Sequence, residues 1–255
     1  MKKKNKTVRV IINICYPILS LAIALAVWAI AAKIKNNALV LPMPDKVLTD
    51  FFALFRTSDF YIAIFASLGR ILLCFIISLL SALLFAITGF YFKPFDKIVK
   101  PLISLLRSAP TVAVILISYA FFTSNVMAVF VGFLISFPVL YSTFVSGLES
   151  LDKNFFVMAK TYKIPLIRQI FGICIPQISP IIFECSASTL SLTVKIIVSA
   201  EIITCVAKSI GGMIQVAYAS FEIQYLLAWT LVAVLLSFIL ETVVRATKKI
   251  FVRWE

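Results

Sequence analysis

The chain has 255 residues, of which 62% are hydrophobic and 14% charged, with a mean hydropathy of +1.07. Soluble domains carry about 25% charged residues, so a water-soluble globule is excluded. Apolar runs longer than about 18 residues make the chain a helical, polytopic membrane protein rather than a barrel of short alternating strands. The net charge of +13 does not mark a nucleic-acid binder, because the basic residues sit at the ends of apolar runs instead of forming one patch.

Residues 1–9 are basic (Lys2, Lys3, Lys4, Lys6, Arg9). Residues 10–32 form an apolar run long enough to cross a bilayer. Ala29-Ile30-Ala31 has the pattern of a signal-peptidase site, but the run exceeds a signal-peptide core, so an uncleaved first span is expected. A polar interval, 33–59, contains Leu41-Pro42-Met43-Pro44. Pro44 is placed to open a short helix whose apolar side carries Val47, Leu48, Phe51, Phe52, Leu54 and Phe55. That helix is expected at the outer surface.

Residues 60–92 are apolar except for Arg70. As a helix they would extend ~50 Å, more than a ~30 Å hydrocarbon core, so the helix tilts or projects. Projection outward would set Arg70 near the outer interface, where it can snorkel. Residues 91–108 are basic and proline-punctuated. The apolar run 109–122 is short, and with 102–106 it can make a kinked third span. After a tight loop at 123–125, residues 126–145 form a fourth span, interrupted by Pro138. The fifth span, 173–200, is the most polar, with Pro176, Pro180, Glu184 and Lys195. An outer interval, 201–224, holds Gly211-Gly212. Residues 225–244 make the sixth span, and 245–255 a basic tail with Arg253 and Trp254.

Placing the N-terminus inside with six spans assigns seventeen basic residues to the inner side and five to the outer, with Arg70 and Lys195 within spans. The positive-inside rule selects this topology and makes the loop 149–171 cytoplasmic. In that loop Asp152 or Asn154 can cap a helix start. Phe155, Met158, Ala159 and Tyr162 recur on one helical face, with Lys153, Lys160, Lys163 and Arg168 off it. Pro165 cannot continue this helix but can open a second, and Ile164 before it is pushed out of helical backbone. The pattern is an exposed helical hairpin suited to docking a soluble partner; a linker lying on the lipid surface is the bland alternative.

Cys15, Cys74, Cys174, Cys185 and Cys205 contain no CxxC, and histidine is absent; a metal cluster or disulfide framework is not expected. No GxxxxGK[ST], HExxH or GxSxG occurs, so neither a nucleotide cradle nor an enzyme is indicated.

Ala159-Lys160-Thr161, Pro165 and Ile175-Pro176 resemble the "EAA" cytoplasmic loop of permease subunits of bacterial ABC importers, with Val157-Met158 in place of the leading Glu-Ala and Lys163 at the turn glycine. Leu41-Pro42-Met43-Pro44, Ser67 to Ile71, Pro101 to Pro110, Ala200-Glu201 with Gly211-Gly212, and the tail with Trp254 resemble the nitrate/sulfonate/taurine branch. The resemblance implies one all-α permease domain over 1–255, with about six transmembrane helices and both termini cytoplasmic. Residues 1–59 are then an N-terminal span plus the outer segment, and 60–255 the core permease. It implies two ABC ATPase subunits that bind the ATP, so no cofactor in this chain. It also implies a second permease chain in a homodimer, an extracytoplasmic solute-binding protein, surrounding membrane lipid, and a multi-pass place in a bacterial cell membrane. Phe155, Met158, Ala159 and Tyr162 are expected to dock the ATPase, with Lys160 and Arg168 at the rim and Lys163 and Pro165 making the turn. Arg70, Glu184, Lys195 and Glu201 are candidates for the translocation path, although Arg70 reads first as an interface anchor and Glu201 reads equally as half of an ion pair with Lys195 or Arg70. The solute would be a sulfonate-, nitrate- or taurine-like anion, or a pyrimidine vitamin precursor. A secondary carrier driven by an ion gradient is the rival; it needs deep titratable groups, and only Glu184 and Lys195 qualify.

Overall fold

The structure, a computed structural model, describes residues 2–37 and 39–251, with the backbone alone for 2–15, 17, 250 and 251. The side chains of the basic N-terminus and the Arg253–Trp254 pair lie outside the described residues. All secondary structure among those described is helical. Eleven α-helices follow in order: α1 (Lys2–Lys35), α2 (Pro44–Leu54), α3 (Ser58–Tyr91), α4 (Lys93–Ser108), α5 (Thr111–Tyr119), α6 (Ser124–Glu149), α7 (Lys153–Thr161), α8 (Leu166–Gln169), α9 (Ile175–Ile203), α10 (Ile210–Ala219) and α11 (Ile223–Phe251). A π-helical turn, Ile170–Cys174, joins α8 to α9.

Five helical stretches are long and apolar enough to cross a membrane, and the bent pair α4–α5 makes a sixth if counted as one span. Two sequence expectations are corrected here. The third span is not a kinked rod: α4 runs unbroken through Pro101, and the chain then turns by 95° at Ala109–Pro110. Ala109 precedes a proline and is extended, with φ −69° and ψ 131°, as that position favours. Nine residues of α5 reach only ~14 Å, about half a hydrocarbon core. Pro138 does not interrupt the fourth span either, since α6 continues through it; membrane helices tolerate an interior proline when neighbours satisfy the freed carbonyl.

The fifth span begins earlier than its apolar run suggests. Helix is continuous from Leu166 to Ile203. Pro176 lacks an N–H, and just before it the ladder slips to wider spacing, with Ile175 N–H reaching Ile170 O.

α3, α6 and α9 form the centre of the bundle. Ile71, Cys74, Leu190, Val194 and Ile197 fill one part of the core, closed by Trp229 of α11. Phe137, Leu140, Phe144, Leu148 and Ile178 fill the part nearer the α7–α8 hairpin. Of the apolar side expected for α2, Val47, Phe51 and Leu54 pack onto the bundle while Leu48, Phe52 and Phe55 stay exposed. Phe51 and the following Phe55 make edge-on and tilted ring contacts that run through Phe60 to Trp229. Among the described residues α1 packs little against the bundle. Its end is tied by Trp28, whose Nε1 donates to Pro42 O at 3.1 Å, while nearly all of its apolar stretch is uncovered.

Candidate functional site: a free hairpin and a buried ion pair at opposite ends

α7 starts where Asp152 accepts a hydrogen bond from Asn154 N at 2.9 Å, which settles the capping choice left open by the sequence. It ends in a Schellman turn. Ile164 N–H reaches Ala159 O at 2.9 Å and Lys163 N–H reaches Lys160 O at 3.1 Å, so two of the orphan carbonyls at the helix end are taken. This turn needs a left-handed residue, and Lys163 supplies it with φ 50°. Gln169 closes the corner from the far side, its Nε2 donating to Ile164 O at 2.7 Å.

The hairpin is seated by one face and free on another. Phe156 packs against Phe90 at the end of α3, ring centroids 5.3 Å apart. Ala159 lies on the same side and is fully buried. Ala159 therefore does not belong to the docking face expected from periodicity; it seats the hairpin on its own bundle. Phe155, Met158 and Tyr162 remain exposed, Tyr162 at 75%, and Val157, Leu166 and Ile167 widen the apolar surface. Lys160 and Arg168 are exposed beside them, and Pro165 starts α8 with extended backbone.

A charged cluster missed in the sequence braces the end of α6 that feeds this hairpin. Asp96 of α4 accepts from Tyr141 Oη at 3.2 Å. Lys100 bridges Asp96 at 2.8 Å and Glu149 at 3.3 Å. The i, i+4 spacing of Asp96 and Lys100 was a visible signal; the partner from α6 was not. At the same end Glu184 faces Arg245 at 3.8 Å and Lys248 at 3.5 Å. It is half exposed and answered by the C-terminal part of α11, so it is not the deep charge its sequence position suggested.

At the opposite end, Arg70 and Glu201 meet. The Glu201 side chain is fully buried and the pair is 2.7 Å apart. Arg70 Nε donates to Glu201 Oε1 at 2.9 Å, and Arg70 also reaches Asn125 Oδ1 at 3.0 Å. Ser67 Oγ lies 2.9 Å from both carboxylate oxygens and accepts from Ile210 N. Gly211 N donates to Glu201 Oε2 at 3.0 Å. The carboxylate thus sits on the N-terminus of α10, where free N–H groups and the helix dipole favour an anion. Four elements, α3, α6, α9 and α10, are pinned around one charge.

The glycine pair is explained by this packing. A Cβ on Gly211 would lie 2.4 Å from Glu201 Cβ and 2.6 Å from Val198 O, and one on Gly212 would lie 2.0 Å from Val206 O. Neither glycine has positive φ. Of the ion-pair choices for Glu201, the structure takes Arg70. Arg70 is drawn inward to that carboxylate rather than left as a snorkelling anchor. Lys195 is separate, on an exposed face of α9 beside α11. Ser67 and Asn125 were missed; only the i, i+3 spacing of Ser67 and Arg70 hinted at the first.

The chain is similar to known proteins in sequence and in fold. Residues 75–254 match the family described as "Binding-protein-dependent transport system inner membrane component". A putative ABC transporter permease protein of Methanocaldococcus jannaschii is 23% identical over 98% of this chain and 94% of its own length. In fold, the chain resembles a chain of a bacterial alginate ABC transporter crystallised with an alginate pentasaccharide-bound periplasmic protein, with a TM-score of 0.65, 13% identity, and 94% and 96% of the two chains covered.

Proposed function

The chain belongs to the family of binding-protein-dependent transport system inner membrane components, and from that premise we propose that it is the permease subunit of an ATP-driven importer. The observation that carries the reading is the α7–α8 hairpin. Its first helix is capped at both ends, Phe156 and Ala159 seat it, and an apolar face of Phe155, Met158 and Tyr162 is left uncovered. A surface-bound amphipathic linker has no need of a defined turn; a lever gripped by another protein does. The end that carries the hairpin also carries the basic residues of α4 and α11, which makes it the cytoplasmic end.

The chain presents one such hairpin, whereas ABC ATPases close in pairs, so two copies of this chain and two ATPase subunits are proposed, related by a two-fold axis. ATP binds to the ATPases, and an extracytoplasmic binding protein delivers the solute. Closure of the ATPases would push the two hairpins, and through the continuous helix 166–203 the motion reaches the Arg70–Glu201 clamp at the outer end. Such a two-state, rigid-body switch is a recurrent transport device. The branch resemblance suggests a small anion as solute.

The test separates docking from folding. Tyr162→Asp and Phe155→Asp should leave the chain folded in the membrane yet abolish stimulation of the ATPase by solute-loaded binding protein. Ala159→Asp should instead lower the yield of folded chain, because a charge would be buried within the bundle. Full ATPase stimulation in both surface variants would defeat the proposal. Uptake that ignores vanadate would favour a secondary carrier.

A further inference from the structure

Lys195 lies eight residues before the end of a membrane-spanning helix, ~12 Å along its axis. Among the described residues it makes no hydrogen bond or ion pair, and it is exposed. It opens into a groove of about 430 Å³ between α9 and α11. An ammonium facing hydrocarbon is costly, and charges in membrane helices face water-filled cavities or partners.

A polar stripe runs into the groove between apolar walls that include Val194, Val198, Ile202, Ala233, Val234 and Phe238. Glu184, Ser188, Ser191, Lys195 and Ser199 follow one another at spacings of four, three, four and four, which is one stripe of α9. Thr230, Ser237 and Glu241 of α11 line the facing wall, and the two stripes touch where Ser191 Oγ and Ser237 Oγ are 2.6 Å apart. The two acids are answered at the cytoplasmic end: Arg245 lies 2.9 Å from Glu241, and Arg245 and Lys248 flank Glu184. That leaves Lys195 as the charge without an opposite.

We propose that the α9–α11 seam lines the solute path and that Lys195 is its anion-attracting residue, so the solute carries a negative group. The proposal rests on the permease reading, since a path presupposes a transporter, and it adds where the path runs and which charge it selects. Lys195 attracts the anion, while the hydroxyl of Ser199, one turn along the same face of α9, can donate a hydrogen bond to it.

The experiment reads water access and local potential without ATP. Ser188→Cys, Ser191→Cys and Ser199→Cys are made singly in the full chain in membrane vesicles, with Leu80→Cys as the lipid-facing control, since Leu80 is an exposed apolar residue of the membrane-spanning α3. Each is treated with an anionic and a cationic methanethiosulfonate, and rates are taken relative to a free small thiol. All three seam positions should react while Leu80→Cys does not. At Ser191→Cys and Ser199→Cys the anionic reagent should be favoured by on the order of tenfold. Lys195→Gln should erase that preference and Lys195→Arg should keep it. The inference is overturned by seam cysteines as inert as the Leu80 control, the result for a lysine that only snorkels to headgroups or is covered by a protein partner. A reagent preference that is absent, or that survives Lys195→Gln, overturns it as well. A failure of hairpin docking would leave these readouts intact, so the two readings fail separately.

Discussion

Glu201 shows how a single carboxylate can dictate its surroundings. Its side chain is fully buried, so every oxygen lone pair must be answered from within the protein. Arg70, Ser67 and the backbone of Gly211 do this, and the last contact requires glycine because α10 there lies against the backbone of α9 with no room for a side chain. Gly211→Ala is therefore expected to cost about 3 kcal/mol, the upper range for forced overpacking. Gly69, with open space around it, should accept alanine without loss. Thermal unfolding of the detergent-purified chain distinguishes the two; equal melting temperatures would show that the cradle is not tight. The sequence displayed Arg70, Glu201 and the glycine pair but could not pair them, because residues more than 130 positions apart meet only through the packing of α3 against α9.

The hairpin was the most legible element. Its capping aspartate, its proline and its helical spacing are local features, and local features survive without tertiary information. What spacing could not decide was which part of the apolar face turns inward. Phe156 chose, by reaching Phe90, and took Ala159 with it. The third span was misjudged for a related reason: Pro101 and Pro110 look alike in sequence, yet the chain breaks only at the second, where two short helices part at 95°. Lys163 supplies a prediction at this scale. A side chain held at φ 50° costs roughly 1–2 kcal/mol relative to glycine. Lys163→Gly should then raise the stability of the hairpin by about 1 kcal/mol, seen as slower amide exchange at Ile164 and Lys163. Faster exchange there would mean that the lysine side chain contributes a contact of its own.

Across the whole molecule, the two ends carry different tasks. One end holds α2, α10 and the Arg70–Glu201 clamp; the other holds the hairpin, the Asp96–Lys100–Glu149 brace and the basic part of α11. Continuous helix from 166 to 203 connects them, which is what a lever reaching across a bilayer requires. That five or six helices span the bilayer was readable from hydropathy alone, because the hydrocarbon thickness fixes the length of an apolar helix. The exposed apolar length of α1 and the polar seam beside Lys195 were not, since one chain's sequence does not say which surfaces meet lipid, water or another copy. The most direct measurement uses Cys205, an exposed native thiol at the clamp end, as an internal reference for Tyr162→Cys at the hairpin. With Cys15 replaced by serine, a membrane-impermeant maleimide applied to intact cells should label Cys205 and spare position 162, and inside-out vesicles should reverse the pattern. Labelling of both positions from the same side would contradict the account, because an ATPase in the cytoplasm could not then grip the hairpin.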